Sequence, residues 1–540
     1  MGRTPTYRRL ERTLALARSV DRSGSRASEV VERWQALRAL SRRRFLQLGA
    51  GAALAVGANA CTARYPEHGR GARIAIVGAG LAGLTCAYRL ARGGSSAKVF
   101  DSWNRSGGRV LTARSRWADQ QLTELGGELI DTKHTRLHLL AAELGLTLDP
   151  ILEPPGNGVR QDTWYFDGRV VTDVEVVEAF RPVARRLAAD AANADNPEHF
   201  TRLDALGLGA YLDTIADLEP FLRALLEAAY VAEFGREVGE QSPWNLLWLI
   251  DSEHPDPFRI YGDSDEAFHV RGGNDQITTR LVERLRAPLA LSHQLVRVAE
   301  RPDGAFRLTF ARGSSRALEE DFDHVVFALP FTRLRQVELR VSLPDDKRRI
   351  IEQLGMGTNS KLTAQFHERV WRTRHAASGS AITDNGLQLV WETSRGQQGE
   401  AGLLTIFAGG TRGLEMGKKD VEAETLSCLA RLDAIFPGAA AAYIAGSAVR
   451  MYWPGVEHTQ GSYSCYLPGQ ATFRGREGTS VGRLHFCGEH TSLDFQGYMN
   501  GGVETGERVA AEILQALGVT SRVAVDSRLA PAASSVALPA

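Results

Sequence analysis

RIAIVGAGLAGLTCAYRLARGGSSAKVFDSWNRSGGR, residues 73–109, is the stretch whose reading decides the fold. Ile74 to Val77 is a short apolar run rich in β-branched residues, the pattern of a parallel strand buried on both faces. Glycines follow at Gly78, Gly80 and Gly83. The first permits the tight turn, the second lets a pyrophosphate approach bare backbone, and the third lets the next helix pack closely on the strand. That helix, Leu81 to about Arg92, presents the N–H groups of Leu81 and Ala82 and the positive end of its dipole to phosphate. Gly93-Gly94 stops it. A second strand, Ala97 to Phe100, ends in Asp101 with Ser102 beside it, at the distance expected of a carboxylate that hydrogen-bonds an adenosine ribose.

Three glycines alone are a weak signal, but strand, turn, helix, strand and acid in one unit are much stronger. A second cluster, Gly107-Gly108-Arg109, adds bare backbone and a cation near the same pyrophosphate. With it the segment resembles the start of a flavin amine oxidase, the family of monoamine, polyamine and L-amino-acid oxidases. The resemblance runs over nearly all of residues 72–517 and implies FAD as cofactor.

The chain has 540 residues, too many for one core, so two large domains are expected. Its 64 Lys and Arg balance 64 Asp and Glu, but unevenly: residues 1–60 hold twelve arginines and four acids, a net of +8, which leaves −8 for the rest. Nothing in that remainder resembles a basic nucleic-acid surface. Ser41-Arg42-Arg43-Arg44-Phe45-Leu46 resembles a bacterial twin-arginine export motif. A weakly apolar run, Leu48 to Gly57, follows it and is too short to span a bilayer. Ala58-Asn59-Ala60 then offers small residues for cleavage, while lipidation at Cys61 is disfavoured by Ala58, where a lipoprotein signal favours leucine. The expected destination is the periplasm or the medium, with the twin-arginine machinery as a partner. The five cysteines lie at 61, 86, 428, 465 and 487 without metal spacing, and their odd count argues against a disulfide framework.

Leu122 to Leu125 reads as a strand. Gly126, Gly127 and Glu128 follow it in the segment that, by the resemblance, passes under the flavin. Thr135 to Leu144 reads as a helix, and Trp164 to Val171 carries the Asp-Gly signal of a hairpin. From Val174 to about Ile250 the pattern is helical, and such an insertion between strands of a parallel sheet implies a second domain over the ligand crevice. The chain returns at Val270 to Asn274. Val298, in a strand starting at Val296, resembles the residue whose backbone meets the adenine. Asp323 to Pro330 is again a buried strand. The strands Ser360–Phe366, Leu387–Trp391 and Leu403–Phe407 read as amphipathic, with one face as the floor of the substrate cavity. Leu484 to Cys487 is the last cofactor strand and Asn500 to about Leu517 the last helix.

The expected fold is therefore α/β: a doubly wound FAD-binding domain built from discontinuous segments, 72–131, 270–340 and 446–518, plus a mixed α+β substrate domain from 132–269 and 341–445. Residues 1–60 form an extension and signal, and 519–540, rich in Ala, Ser and Pro, a disordered tail.

Gly488-Glu489-His490-Thr491 and Gly497-Tyr498-Met499-Asn500-Gly501-Gly502-Val503-Glu504-Thr505-Gly506 resemble the family's second flavin signature. Their glycines let a helix start against a flat ring, its N-terminus favours negative charge on the reduced flavin, and the Met499 N–H is the donor. Lys361 matches the family lysine that holds a water at flavin N5. Tyr463 and Tyr498 fall where monoamine oxidases place two facing rings before the flavin, which steer an amine nitrogen. Ser462 stands where those enzymes carry the cysteine bonded to the flavin, so FAD is expected to be non-covalent. The implied reaction is oxidation of a primary or secondary amine, with O₂ reduced to H₂O₂. The rival is an L-amino-acid oxidase. Venom-type amino-acid oxidases place an arginine after the strand that ends here in Leu125, whereas this chain has Glu128 and Leu129. If Glu128 faces the cavity it attracts the distal ammonium of a diamine; otherwise Glu128 and Asp131 are solvated or paired with Lys133 or Arg136. The resemblance leaves room for a homodimer.

Overall fold

The computed structural model describes residues 71–152, 158–216, 218–248, 265–285, 288–313 and 315–519. The twin-arginine motif, Cys61 and the tail beyond residue 519 lie outside them. The strand Ile74–Val77 sits in a five-stranded parallel sheet in the order Leu484–Phe486, His324–Phe327, Ile74–Val77, Ala97–Phe100, Leu289–Ala290. Its side chains divide by alternation. Ile74 and Ile76 pack among the helices Leu81–Arg92 and Met499–Ala516, while Ala75 and Val77 face Phe306, Leu308 and Phe310 of a second, four-stranded sheet. Phe100 stacks on Phe310 at 4.1 Å between the two sheets. One face is thus covered by helices and the other by a sheet, and full burial of each Val or Ile side chain contributes about 1.5–3 kcal/mol.

Two glycines set the spacing of the helical layer. A Cβ on Gly83 would stand 2.0 Å from the Gly78 carbonyl oxygen, and one on Gly506 would stand 2.4 Å from the Ala82 carbonyl oxygen. Neither position admits a side chain, so strand, first helix and last helix approach to backbone contact.

The second unit is built on a seven-stranded mixed sheet, in the order Val449–Tyr452, Ser360–Phe366, Gly402–Ala408, Gln388–Glu392, Ala381–Thr383, Thr163–Phe166, Arg169–Val171. The last two strands are the expected hairpin, turned by Asp167 and Gly168 at positive φ. The hairpin thus belongs to this sheet, joined by the parallel pairing of Thr163–Phe166 with Ala381–Thr383. The helical insertion includes Asp173–Ala192, capped by a Thr172/Glu175 capping box, and Pro220–Phe234, ended by Gly235 in the left-handed conformation. The latter packs its Leu222, Leu225, Leu226 and Tyr230 face toward Leu389, Trp391 and Phe407.

The alternation read in Ser360–Phe366 is present, but its polar face is not an open cavity floor, because all seven of its residues are buried. Leu362, Ala364 and Phe366 pack with Trp371, Leu429 and Leu432. The polar face is covered too, by the segment 118–128: Gln365 bonds Ala118 and Gln121, and Lys361 bonds Glu124, Gly126 and Glu128. Thr363 shares a 2.9 Å hydroxyl bond with Thr405 on the neighbouring strand.

Candidate functional site

A cleft of about 1090 Å³ opens beyond the carboxyl ends of the parallel strands, where ligands of open α/β sheets bind. Its walls come from Val77, Gly78, Gly80 to Ala82, Asp101 to Trp103, Gly107 to Val110, His293 to Leu295, Ala328 to Pro330 and Tyr498 to Met499, among others. Two helices start on it, at Leu81 and at Met499, and neither has a side-chain cap or an acid in its first turn. Their leading N–H groups are therefore available to an anionic or electron-rich ligand. Such a pair of donor ends on one long cleft fits a dinucleotide, the pyrophosphate at Leu81 and the ring at Met499.

The glycines of the C-terminal signature divide their work. A Cβ on Gly501 would meet the Phe495 carbonyl oxygen at 2.2 Å and one on Gly506 would meet Ala82, so these two serve packing. Gly502 lines the cleft, and its nearest neighbours would be 3.8 Å away. It alone of the three leaves open space for a ligand. At the other end, Gly80 and Gly108 approach each other so closely that a Cβ on Gly108 would be 3.2 Å from the Gly80 Cα.

Asp101 is largely buried at the cleft wall. Its two oxygens accept from the N–H of Ala79 at 2.6 Å and of Trp103 at 2.8 Å. Burial raises its pKa above the ordinary value, and these backbone donors oppose the rise. Each oxygen retains a lone pair, which suits a ribose hydroxyl. Ser102 reaches His458 Nδ1 at 3.0 Å, and the Trp103 ring stacks on His458 at 4.9 Å with the Arg105 guanidinium 3.7 Å over it. Trp103 lay inside the diagnostic stretch without being singled out. His458 and His293 carry no local motif and were not legible in the sequence.

Arg109 and Glu489 both line the cleft and join its two signatures. Arg109 Nη1 donates to the Ser462 carbonyl at 2.6 Å and to Glu489 Oε1 at 2.9 Å. Glu489 also accepts from Ser464 Oγ at 2.8 Å and from the Gly497 N–H at 2.9 Å. Burial pushes this carboxyl up, but Arg109, His490 and Ser464 overcome it and hold it below its ordinary value. Glu489 is thus an anionic hub bonded within the protein.

Tyr498 lines the cleft, its ring edge-on to His134 at 5.0 Å. Tyr463 is fully buried, and its hydroxyl donates to the Glu233 carbonyl at the end of the helix Pro220–Phe234. Its ring lies 3.8 Å from where a Gly497 Cβ would be, so Gly497 brings the two tyrosines into one neighbourhood. Tyr463 is not among the cleft's lining residues.

Gly126, Gly127, Glu128 and Lys361 form the layer behind Arg109. Gly127 donates to the Arg109 carbonyl at 3.1 Å, and a Cβ on Gly126 would overlap that carbonyl at 1.7 Å. Lys361 Nζ donates to the carbonyls of Glu124 and Gly126, each at 3.1 Å, and to Glu128 Oε2 at 2.7 Å. Glu128 therefore does not stand over the cleft as a free charge. Its carboxyl would be raised by burial, yet Lys361, Trp391 and Thr393 hold it below the ordinary value. Glu128 pairs with Lys361 rather than with Lys133 or Arg136. Asp131 accepts from the Glu266 N–H at 2.7 Å and stands 3.3 Å from His134 Nε2, while Arg136 faces Glu507. Val298 also differs from expectation. The strand is longer than read, Gln294–Glu300, so Val298 lies in the core and His293, Gln294 and Leu295 line the cleft instead.

A family model described as flavin containing amine oxidoreductase matches residues 81–514. Flavin-containing amine oxidase A of Canis lupus familiaris is 25% identical over 470 residues, covering 82% of this chain and 85% of that protein. The L-amino-acid oxidase of Demansia vestigiata is 21% identical over 471 residues, covering 84% and 88%. Among solved structures, cyclohexylamine oxidase from Brevibacterium oxydans IH-35A superposes with a TM-score of 0.71 at 22% identity, covering 83% of this chain and 99% of that one. A putrescine oxidase bound to putrescine superposes at 0.69 with 20% identity, covering 82% and 99%. The likeness to these structures establishes a common fold.

Proposed function

The chain belongs to the flavin-containing amine oxidoreductase family, and on that premise we propose that it oxidises small primary or secondary amines with O₂ as acceptor, releasing H₂O₂. It is an FAD-dependent amine oxidase. The observation that carries the proposal is the convergence of two uncapped helix N-termini, Asp101 and Tyr498 on one cleft.

FAD, when bound, supplies the hydride acceptor, and dioxygen afterwards takes the electrons. The chain's own residues bind, orient and exclude water. Gly80 and Gly108 leave backbone bare where the pyrophosphate would lie, and the Leu81 and Ala82 N–H groups would donate to it. Asp101 would receive the ribose. The dipole and N–H groups at Met499 favour negative charge at the ring end, while Tyr498 narrows the space before it. The substrate amine loses hydride from the carbon bearing a neutral nitrogen, and water hydrolyses the resulting imine to an aldehyde and the free amine or ammonia.

A peroxide assay on a panel of monoamines, diamines and L-amino acids tests this reading. Peroxide from amines alone supports it, and peroxide from amino acids alone replaces it with an L-amino-acid oxidase. FAD is proposed to be non-covalent because the Ser462 hydroxyl, bonded to Asn359 Oδ1 at 2.6 Å, offers no thioether; acid precipitation should leave a colourless pellet. We further propose twin-arginine export to the periplasm or medium, supported by residues 41–60. Changing Arg42 and Arg43 to lysine should then retain the flavoprotein in the cytoplasm. A homodimer is proposed only as compatible with this reading, and sedimentation tests it.

A further inference from the structure

The charged pair Lys361–Glu128 sits one layer behind the cleft and is more fully specified than anchoring a loop requires. Each residue is 5% exposed, and Nζ stands 2.7 Å from Oε2. All three ammonium protons have protein acceptors: Glu128 and the carbonyls of Glu124 and Gly126. The carboxylate is fixed in turn, its Oε1 accepting from Trp391 Nε1 at 2.9 Å and Thr393 Oγ1 at 2.7 Å. The Trp391 ring also lies 5.4 Å from Nζ. Gly127 ties this loop to the Arg109 carbonyl, and Arg109 lines the large cleft.

Glu128 also faces a second, smaller cleft of about 530 Å³ that shares no lining residue with the first; Thr393, His269 and Gln397 are among its walls. Asp149, Arg271, Glu392 and Arg395 line the same small cleft, and Glu124 and His269 stand beside the pair. Glu124 accepts from Thr112 Oγ1 and the Asn274 N–H, each at 2.8 Å, and His269 Nε2 meets it at 2.8 Å. Glu124 is already satisfied by these partners, so Glu128 is the carboxylate bonded to Lys361.

We infer that Glu128 is a positioning residue for Lys361, the fixed counter-charge that keeps the ammonium pinned to the loop behind Arg109, in the layer next to the large cleft. This rests on the amine-oxidase reading above. A buried ammonium deprived of its counter-charge gives up its proton more readily and loses its fixed direction. Glutamine at 128 keeps the shape and an acceptor for Trp391 but removes the charge.

The test uses purified holoenzyme, Glu128→Gln, Lys361→Met, the double variant and Glu128→Ala. Stopped-flow flavin reduction and reoxidation are followed against pH, with FAD content and thermal melting in parallel. In Glu128→Gln one half-reaction should acquire an ionisation absent from the wild type, slowing it at least tenfold on one side of that pKa. The double variant should lose this ionisation. Formate, entering by the small cleft, should restore the Glu128→Ala rate at least threefold, whereas equal chloride should not. Wild-type profiles in Glu128→Gln, an ionisation that survives in the double variant, or failure of formate would each overturn the inference. If no amine reduces the wild-type flavin, the functional reading fails. Melting then still reads the pair: a double variant no less stable than either single supports it, and additive losses overturn it.

Discussion

The parallel sheet and the seven-stranded sheet both bury strands on two faces, but Ile74–Val77 in the first does so with apolar residues alone and Ser360–Phe366 in the second with one apolar and one polar face. Ile74 to Val77 has only aliphatic side chains to place, and any neighbour of suitable shape serves. Ser360–Phe366 places Leu362, Ala364 and Phe366 in a core but must also match Lys361, Thr363 and Gln365 to specific partners. Apolar burial is non-directional, whereas a buried polar group left unmatched costs about 1–3 kcal/mol, and a buried charge more. The first sheet therefore depends on spacing and the second on pairing.

The largest expected effect attacks spacing. Gly83→Ala places a Cβ 2.0 Å from the Gly78 carbonyl oxygen, which should cost on the order of 4 kcal/mol or more and yield little folded flavoprotein. Gly502→Ala has 3.8 Å of clearance and should fold while losing FAD affinity. Melting curves and the flavin-to-protein ratio separate the two, and equal melting temperatures would erase the distinction.

Pairing is attacked next. Lys361→Met strands the buried Glu128 charge and should cost about 3–5 kcal/mol by denaturant titration while FAD remains bound. The same variant should slow flavin reduction or reoxidation.

A smaller effect contrasts Glu128 with Glu477, a buried acid that accepts from the Tyr466 hydroxyl and is pushed by burial up to about 7. Its folded pKa lies above the unfolded one, about 4.3, so its contribution is complete below that value and is lost as pH rises through about 7. Glu477→Gln should thus be more stable than wild type at pH 8 by up to roughly 3 kcal/mol, with the advantage vanishing only below about pH 4.

The smallest effect is the most discriminating. Thr363→Val leaves the Thr405 hydroxyl without its partner and should cost about 1–2 kcal/mol, whereas Thr363→Val with Thr405→Val should be nearly neutral. Thermal melts of the three variants would show the polar face to be a matter of pairs rather than of polarity.

The elements of the cofactor half were legible because each rests on neighbours in sequence. The helix Leu81–Arg92 begins and ends at glycines a few residues away, and the two helix starts at Leu81 and Met499 are marked by their own glycine clusters. The role of Val298 was misplaced because its strand reaches further toward its N-terminus than its apolar run, and exposure along a strand depends on what packs above it. Trp103 was not singled out although it lies inside the motif, two residues after Asp101. Nor was His458, since nothing local joins it to Asp101 across more than 350 residues.

By itself the sequence determined four of the five parallel strands, the phosphate-facing turn, the helices of the insertion and the two flavin signatures, features each marked by residues near one another in the chain. The tertiary structure alone decided that the polar face of Ser360–Phe366 is buried, that Glu489 answers Arg109 across 380 positions, and that Glu128 belongs to Lys361 across 233. The physical reason is that a charge's state depends on the nearest opposite charge in space. In these pairs that partner comes from a distant part of the chain.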